Sequence, residues 1–149
     1  MEFSAIKSTP KGRRFYTVDY DNLYSFGPWT CGYIEINKDW SRNYLDDFYE
    51  QFDFWGGPTY MGLIFPDVIY QDHPLAIMCS AYDDEHSLDS VLSRIKLEYQ
   101  DKITGLIKGK EYFWTIGFDD NHVEKIGKFA VEEMTEKIAN QMDEVEEAK

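Results

Sequence analysis

The stretch Glu111-Tyr112-Phe113-Trp114-Thr115-Ile116-Gly117-Phe118-Asp119-Asp120-Asn121-His122 decides how the rest of the chain is read. Tyr112, Trp114, Ile116 and Phe118 fall on one side of an extended backbone, and Phe113, Thr115 and Gly117 on the other. This is the period of two of a central strand with a heavily apolar face. Asp119, Asp120, Asn121 and His122 then place four polar side chains where a helical pattern begins. Asn121 reads as the N-cap of a long helix, Glu124 completes a capping-box pattern, and Val123, Ile126, Ala130, Met134, Ile138 and Met142 line its core side. The segment reads as a strand running into a helix that packs back onto it, burying Trp114 and Phe118.

Upstream, Arg13 to Tyr20 alternates Phe15, Thr17 and Asp19 against Tyr16, Val18 and Tyr20, which suits a strand. Gly27-Pro28 interrupts the pattern. Thr30 to Asn37 resumes it, with Tyr33 and Glu35 opposite Ile34 and Ile36. Ser41 is a good N-cap for a short helix that turns Tyr44, Leu45, Phe48 and Phe52 inward and Asp46, Asp47 and Glu50 outward. A turn at Trp55-Gly56-Gly57-Pro58 leads into a strand through Phe65. Pro66 to Pro74 reads as an exposed loop, and Leu75 to Ala81 as a short apolar strand. An amphipathic helix is expected from about Ser87 to Thr104, with Leu88, Val91, Leu92, Ile95, Tyr99 and Ile103 on one stripe, and a turn over Gly105 to Lys110. Residues 1–12 read as a loose lead-in and 143–149 as a fraying acidic end.

The strands lack the regular intervening helices that a doubly wound sheet needs. The expected fold is therefore α+β: one domain over residues 1–149, an antiparallel sheet of four to six strands, and two to three helices packed mainly on one face. Apolar residues make up 43% and aromatics 17%, enough to build a core despite the high charge. No run approaches the roughly eighteen apolar residues of a membrane-spanning helix, and Met1-Glu2-Phe3-Ser4 lacks a secretion-signal pattern. A soluble, cytoplasmic protein is expected. Cys31 and Cys79 form no CxxC pattern, so free buried thiols are expected, with no disulfide framework, metal site or cofactor implied.

Fifteen basic residues face 28 acidic ones, a net charge of −13. Such a balance argues against direct phosphate contacts with nucleic acid and favours a basic partner or plain solubility. The charge is also uneven. Lys7, Lys11, Arg13 and Arg14 against Glu2 leave residues 1–14 at +3, whereas seven acids against Lys137 leave Glu132 to Glu147 at −6.

Asp119, Asp120 and His122 supply carboxylates and an imidazole within one turn, the residue types of acid–base or metal chemistry. Helix capping is the competing and simpler role, because orphan helix N–H groups need acceptors there. Asp83, Asp84, Glu85 and His86 repeat the situation, with nothing at metal-ligand spacing to complete a site. Trp55, Gly56 and Gly57 offer a stacking face beside a permissive backbone, or simply a structural turn. Phosphate-loop, dinucleotide, nucleophile-elbow and zinc-protease motifs are all missing from the sequence. Asp46, Asp47 and Glu50 with Glu132, Glu133 and Glu136 form acidic helical faces able to imitate spaced phosphates, although a solvated face is the commoner meaning of such clusters.

Three pieces together resemble a family of small uncharacterised bacteriophage and prophage proteins. They are Gly32-Tyr33-Ile34, Trp55-Gly56-Gly57-Pro58-Thr59-Tyr60, and Trp114-Thr115-Ile116-Gly117-Phe118-Asp119-Asp120-Asn121-His122, followed by a helix carrying Glu133 and Ile138-Ala139-Asn140-Gln141-Met142. Trp55 stands where that family has His, and Asn121 where it has Ala. A shared site that relied on the first His would not operate here in the same way. The resemblance implies a phage or mobile-element origin and an α+β domain. By analogy of origin and charge, it suggests a non-enzymatic inhibitor, anti-CRISPR-like, of a basic host protein such as a CRISPR effector or another nucleic-acid-binding protein. The alternative is a pocket for a nucleotide-like ligand, or a hydrolytic site, bounded by Trp55, Gly56, Gly57, Asp119 and His122.

Overall fold

The computed structural model describes residues 2–20, 28–36, 52, 54–70, 73–80, 89, 93, 97–120 and 125–147. Among them are strands β1 (Glu2–Phe3), β2 (Lys7–Ser8), β3 (Arg14–Tyr20), β4 (Trp29–Ile36), β5 (Tyr60–Tyr70), β6 (His73–Ser80) and β7 (Phe113–Asp119). Two helices are described, α1 (Leu97–Lys108) and α2 (Lys128–Glu147). The class is α+β. Every pairing in the sheet is antiparallel, in the order β1-β3-β4-β7-β5-β6, and β2 also pairs with β3. The seven strands thus occupy six positions, since β1 and β2 share one edge.

The strand that opens the sequence reading is central, with β4 on one side and β5 on the other. Its alternation is as expected. Ile34 pairs with Ile116 and Ile36 with Trp114, so one face gathers Phe15, Ile34, Met61, Leu63, Phe65, Trp114, Ile116 and Phe118. Val131, Ile138, Ala139 and Met142 of α2 and Ile103 of α1 join this same cluster, and Trp114 and Phe118 are buried in it. The opposite face gathers Tyr16, Val18, Cys31, Tyr33, Ile64 and Phe113 in a second cluster. Tyr16 and Tyr33 stack there with centroids 4.9 Å apart.

Helix and sheet approach closely at Gly32, where a β-carbon would collide with Thr135 Oγ1 and the Phe118 ring. Both ends of α2 are tied to the sheet. Near its start, Lys128 pairs with Asp19 at 3.2 Å. Near its end, the buried Arg13 meets Asp143 at 2.9 Å and also pairs with Glu146, and Thr9 donates to Asp143. Burial alone would pull the Arg13 pKa down, but hydrogen bonds and charge from Glu146 and Asp143 carry it above its ordinary value.

Several elements differ from the sequence expectation, each for an identifiable reason. Residues 2–3 and 7–8 are not loose, because both segments pair with β3. The helix does not fray from residue 143 but continues to Glu147, held by Arg13. Pro66 to Pro74 is not an open loop. β5 runs on to Tyr70 and accommodates Pro66 in a bulge, its register stepping between Phe65 and Ile69, which is where a strand tolerates a residue lacking an N–H. Gly105 lies inside α1, and the turn comes later. Lys110 takes a φ of 54°, while the N–H groups of Lys110 and Glu111 bond to the carbonyls of Ile107 and Leu106 in a Schellman closure. Finally, α2 starts at Lys128 rather than just after Asn121, behind Gly127 with a φ of 91°. Asn121, Glu124, the short helix after Ser41, the Asp83 to His86 cluster and most of residues 87–96 lie outside the described residues.

Candidate functional site

Asp119 ends β7 and Asp120 follows it. Both are almost fully buried, at 1% and 2% exposure. The Asp119 carboxylate accepts a 2.9 Å bond from the Thr59 hydroxyl, while the Thr59 N–H donates to the Gly117 carbonyl at 2.8 Å. Thr59 thereby straps the chain entering β5 onto the end of β7. Asp120 accepts the Thr30 N–H at 2.8 Å with one oxygen and the Gly127 N–H at 3.1 Å with the other. It connects β4 to the residue before α2, a capping service delivered from outside the helix. His122 lies outside the described residues.

Asp119 also faces a group of buried titratable side chains. Burial first, and the Asp119 charge second, push the Cys31 thiol up to about 12, so it stays protonated and is a poor nucleophile at neutral pH. Burial likewise raises Tyr60 to about 12 and holds Tyr16 and Tyr33 well above their ordinary value. This is a neutral, aromatic environment. Among the described residues no group of three His, Cys, Asp or Glu is placed to hold a metal, and no helix is long and apolar enough to cross a membrane.

The turn at Trp55-Gly56-Gly57 closes through a 3.0 Å bond from the Gly57 N–H to the Phe54 carbonyl. Gly56 and Gly57 have φ values of 69° and 85°, left-handed conformations that side chains beyond glycine rarely adopt. A cavity of about 550 Å³ opens between this turn and α2, lined by Trp55 and Gly56 on one side and by Glu133, Met134, Lys137 and Gln141 on the other. Asp119 and Gly57 are not among its lining residues. The turn and the β7 terminus therefore do not share this cavity, although Thr59 ties them together.

The acids of α2 stand apart from these groups. Glu133 and Glu136 are exposed and Glu132 is half-buried, and no ion pair among the described residues engages them. Phe129, one turn before them, is 82% exposed. Together they line a second cavity, of about 360 Å³, on the side of α2 facing β2 and β3. Asp46, Asp47 and Glu50 lie outside the described residues. Thr59 and Thr30, neither of them read as a site residue from the sequence, prove to be the residues that anchor Asp119 and Asp120. No protein-family model, curated protein or solved structure matches the chain.

Proposed function

We propose that the protein is an acidic, non-enzymatic binding protein whose α2 surface engages a basic partner protein. The observation that carries this reading is the exposed Phe129 beside Glu132, Glu133 and Glu136. An exposed aromatic ring set among charged side chains is the composition of a protein-binding patch, the ring supplying desolvated contact area and the acids supplying steering and register. With the net charge of −13, the fitting partner is a surface rich in Lys and Arg. Such surfaces are typical of nucleic-acid-binding proteins. The phage-like sequence pieces suggest a host nucleic-acid or defence protein as the target, a CRISPR effector being one example, with Asp46, Asp47 and Glu50 adding a second acidic face.

The test is affinity capture from a bacterial lysate with the wild-type chain and the triple variant Glu132→Lys, Glu133→Lys, Glu136→Lys in parallel. Captured basic proteins should be lost with the triple variant and should elute progressively as salt is raised. Identical capture by both chains would refute the reading.

The cavity beside Trp55 and Gly56 supports a second reading, a small-ligand pocket, because its volume lies in the range of small-molecule sites. A thermal-shift screen with nucleotides and divalent cations tests it. A ligand present at 100 times its Kd should add about 2.7 kcal/mol of stability.

A further inference from the structure

One end of the sheet is closed to further pairing, and the other is not. The β1–β2 edge consists of two strands of two residues each, one carrying Glu2 and the other Lys7. Short, charged segments of this kind protect a sheet against edge-to-edge association. β6 forms the opposite edge, and among the described residues no strand lies beyond it. It runs for eight residues, His73–Ser80, without an Asp, Glu, Lys or Arg, and its one proline stands at the second position. Ile69, which pairs with Pro74, is 66% exposed beside it.

The ladders fix which backbone groups of β6 face outward. The Asp120 N–H bonds to the Thr30 carbonyl at 3.2 Å, so the bonded pairs between β4 and β7 continue through Gly32–Phe118 and Ile34–Ile116. Bonded and non-bonded pairs alternate along an antiparallel ladder. Phe113, Thr115 and Gly117 therefore turn toward β5, and Met61, Leu63 and Phe65 of β5 turn toward β6, where their partners are Cys79, Ile77 and Leu75. Ala76, Met78 and Ser80 are left presenting N–H and C=O groups away from the sheet. Pro74 belongs to the same outward set, the place where an edge strand tolerates a residue lacking an N–H.

We propose that β6 is a dimerisation edge, to which a second copy of this chain adds its own β6 antiparallel about a two-fold axis. The outward groups of Ala76, Met78 and Ser80 in each copy then bond to those of the other. Charge selects this occupant. Each chain carries −13, and two such chains repel each other least where one neutral strand meets another. The acidic helix α2 packs over β3 and β4, on the far side of β7 and β5 from this edge. An uncharged edge has nothing with which to choose a charged foreign strand, whereas antiparallel self-pairing is self-complementary and closes after two copies. The α2 face stays free in each copy, so the dimer goes beyond the reading of that face and does not depend on it.

The experiment is sedimentation equilibrium of the full chain over a wide range of concentration, at low and high salt. The mass should rise from one chain toward two in the micromolar range, because a strand-edge interface is small. Added salt should tighten the dimer by screening the repulsion between two acidic chains, the reverse of its effect on a basic partner. Ala76→Pro removes an outward N–H and spares the ladder to β5, so it should weaken the dimer by about tenfold or more while melting close to wild type. If Ala76→Pro fails to fold, amide exchange of the wild-type chain carries the test. The Ala76, Met78 and Ser80 amides should exchange more slowly as concentration rises, while those of Leu75, Ile77 and Cys79 stay protected throughout. A single-chain mass at every concentration, a dimer unaffected by folded Ala76→Pro, outward amides indifferent to concentration, or growth past two chains overturns the proposal. None of these outcomes alters the capture of basic proteins through α2, so the two readings fail separately.

Discussion

Acidic residues behave in opposite ways at the end of β7 and along α2. Asp119 and Asp120 are buried, and each accepts hydrogen bonds from residues distant in sequence. Glu133 and Glu136 are exposed, and no ion pair among the described residues engages them. A carboxylate taken out of water must be repaid by donors, so the first pair is committed to holding the fold. A solvated carboxylate keeps its charge available at long range. The sequence writes both as acidic clusters beside a helix. Only burial separates the structural cluster from the one suited to recognition.

The comparison is broken most forcefully by alkali. The ordinary pKa of the Cys31 thiol is 9.0, and in the folded chain it is about 12; Tyr60 is raised from 10.0 to about 12. Groups raised in this way favour the folded state fully below their ordinary pKa and lose that contribution as the pH climbs through the folded value, because the unfolded chain releases its protons first. Urea midpoints should therefore fall steeply between about pH 9 and about pH 12. Cys31→Ala should flatten the fall. A flat profile for the wild type would mean that this cluster is open to water.

Removing the structural acids comes next. Asp120→Ala strands two backbone N–H groups, of Thr30 and Gly127, and should cost about 3 kcal/mol in denaturant titrations. Asp119→Ala releases the Thr59 hydroxyl and should cost about 1–2 kcal/mol while leaving binding to any basic partner unchanged. Loss of an activity at unchanged stability in Asp119→Ala would instead make that carboxylate functional. The smallest effect on stability belongs to the triple reversal of Glu132, Glu133 and Glu136, expected within about 0.5 kcal/mol per position. A larger loss would show that these acids contribute to packing and would erase the contrast.

Much of the sheet was legible because strand alternation is local. The faces of β3, β4 and β7 follow directly from which residues are apolar, and the burial of Trp114 and Phe118 follows from the stripe on α2. What escaped was set by distance or by backbone geometry. Thr59 reaches Asp119 across 60 residues and Thr30 reaches Asp120 across 90, and no local pattern announces such a pair. Pro66 argued for a loop because proline interrupts a ladder, yet a bulge absorbs it. The helix start was misplaced because Asn121 and Glu124 spell a capping box, whereas the described helix begins after Gly127.

The position of β7 also constrains how the chain reaches this structure. β7 follows every other strand in sequence yet lies between β4 and β5, so those two cannot complete their ladders until residue 119 has been made. At about 5–20 residues per second of synthesis, the flanks that will receive β7 wait several seconds without their partner. During that interval two apolar, unpaired strand edges are available to each other and to neighbouring chains. Recovery of native protein should depend on chaperone supply and on growth temperature more than its final stability would suggest, because the hazard lies in the order of arrival.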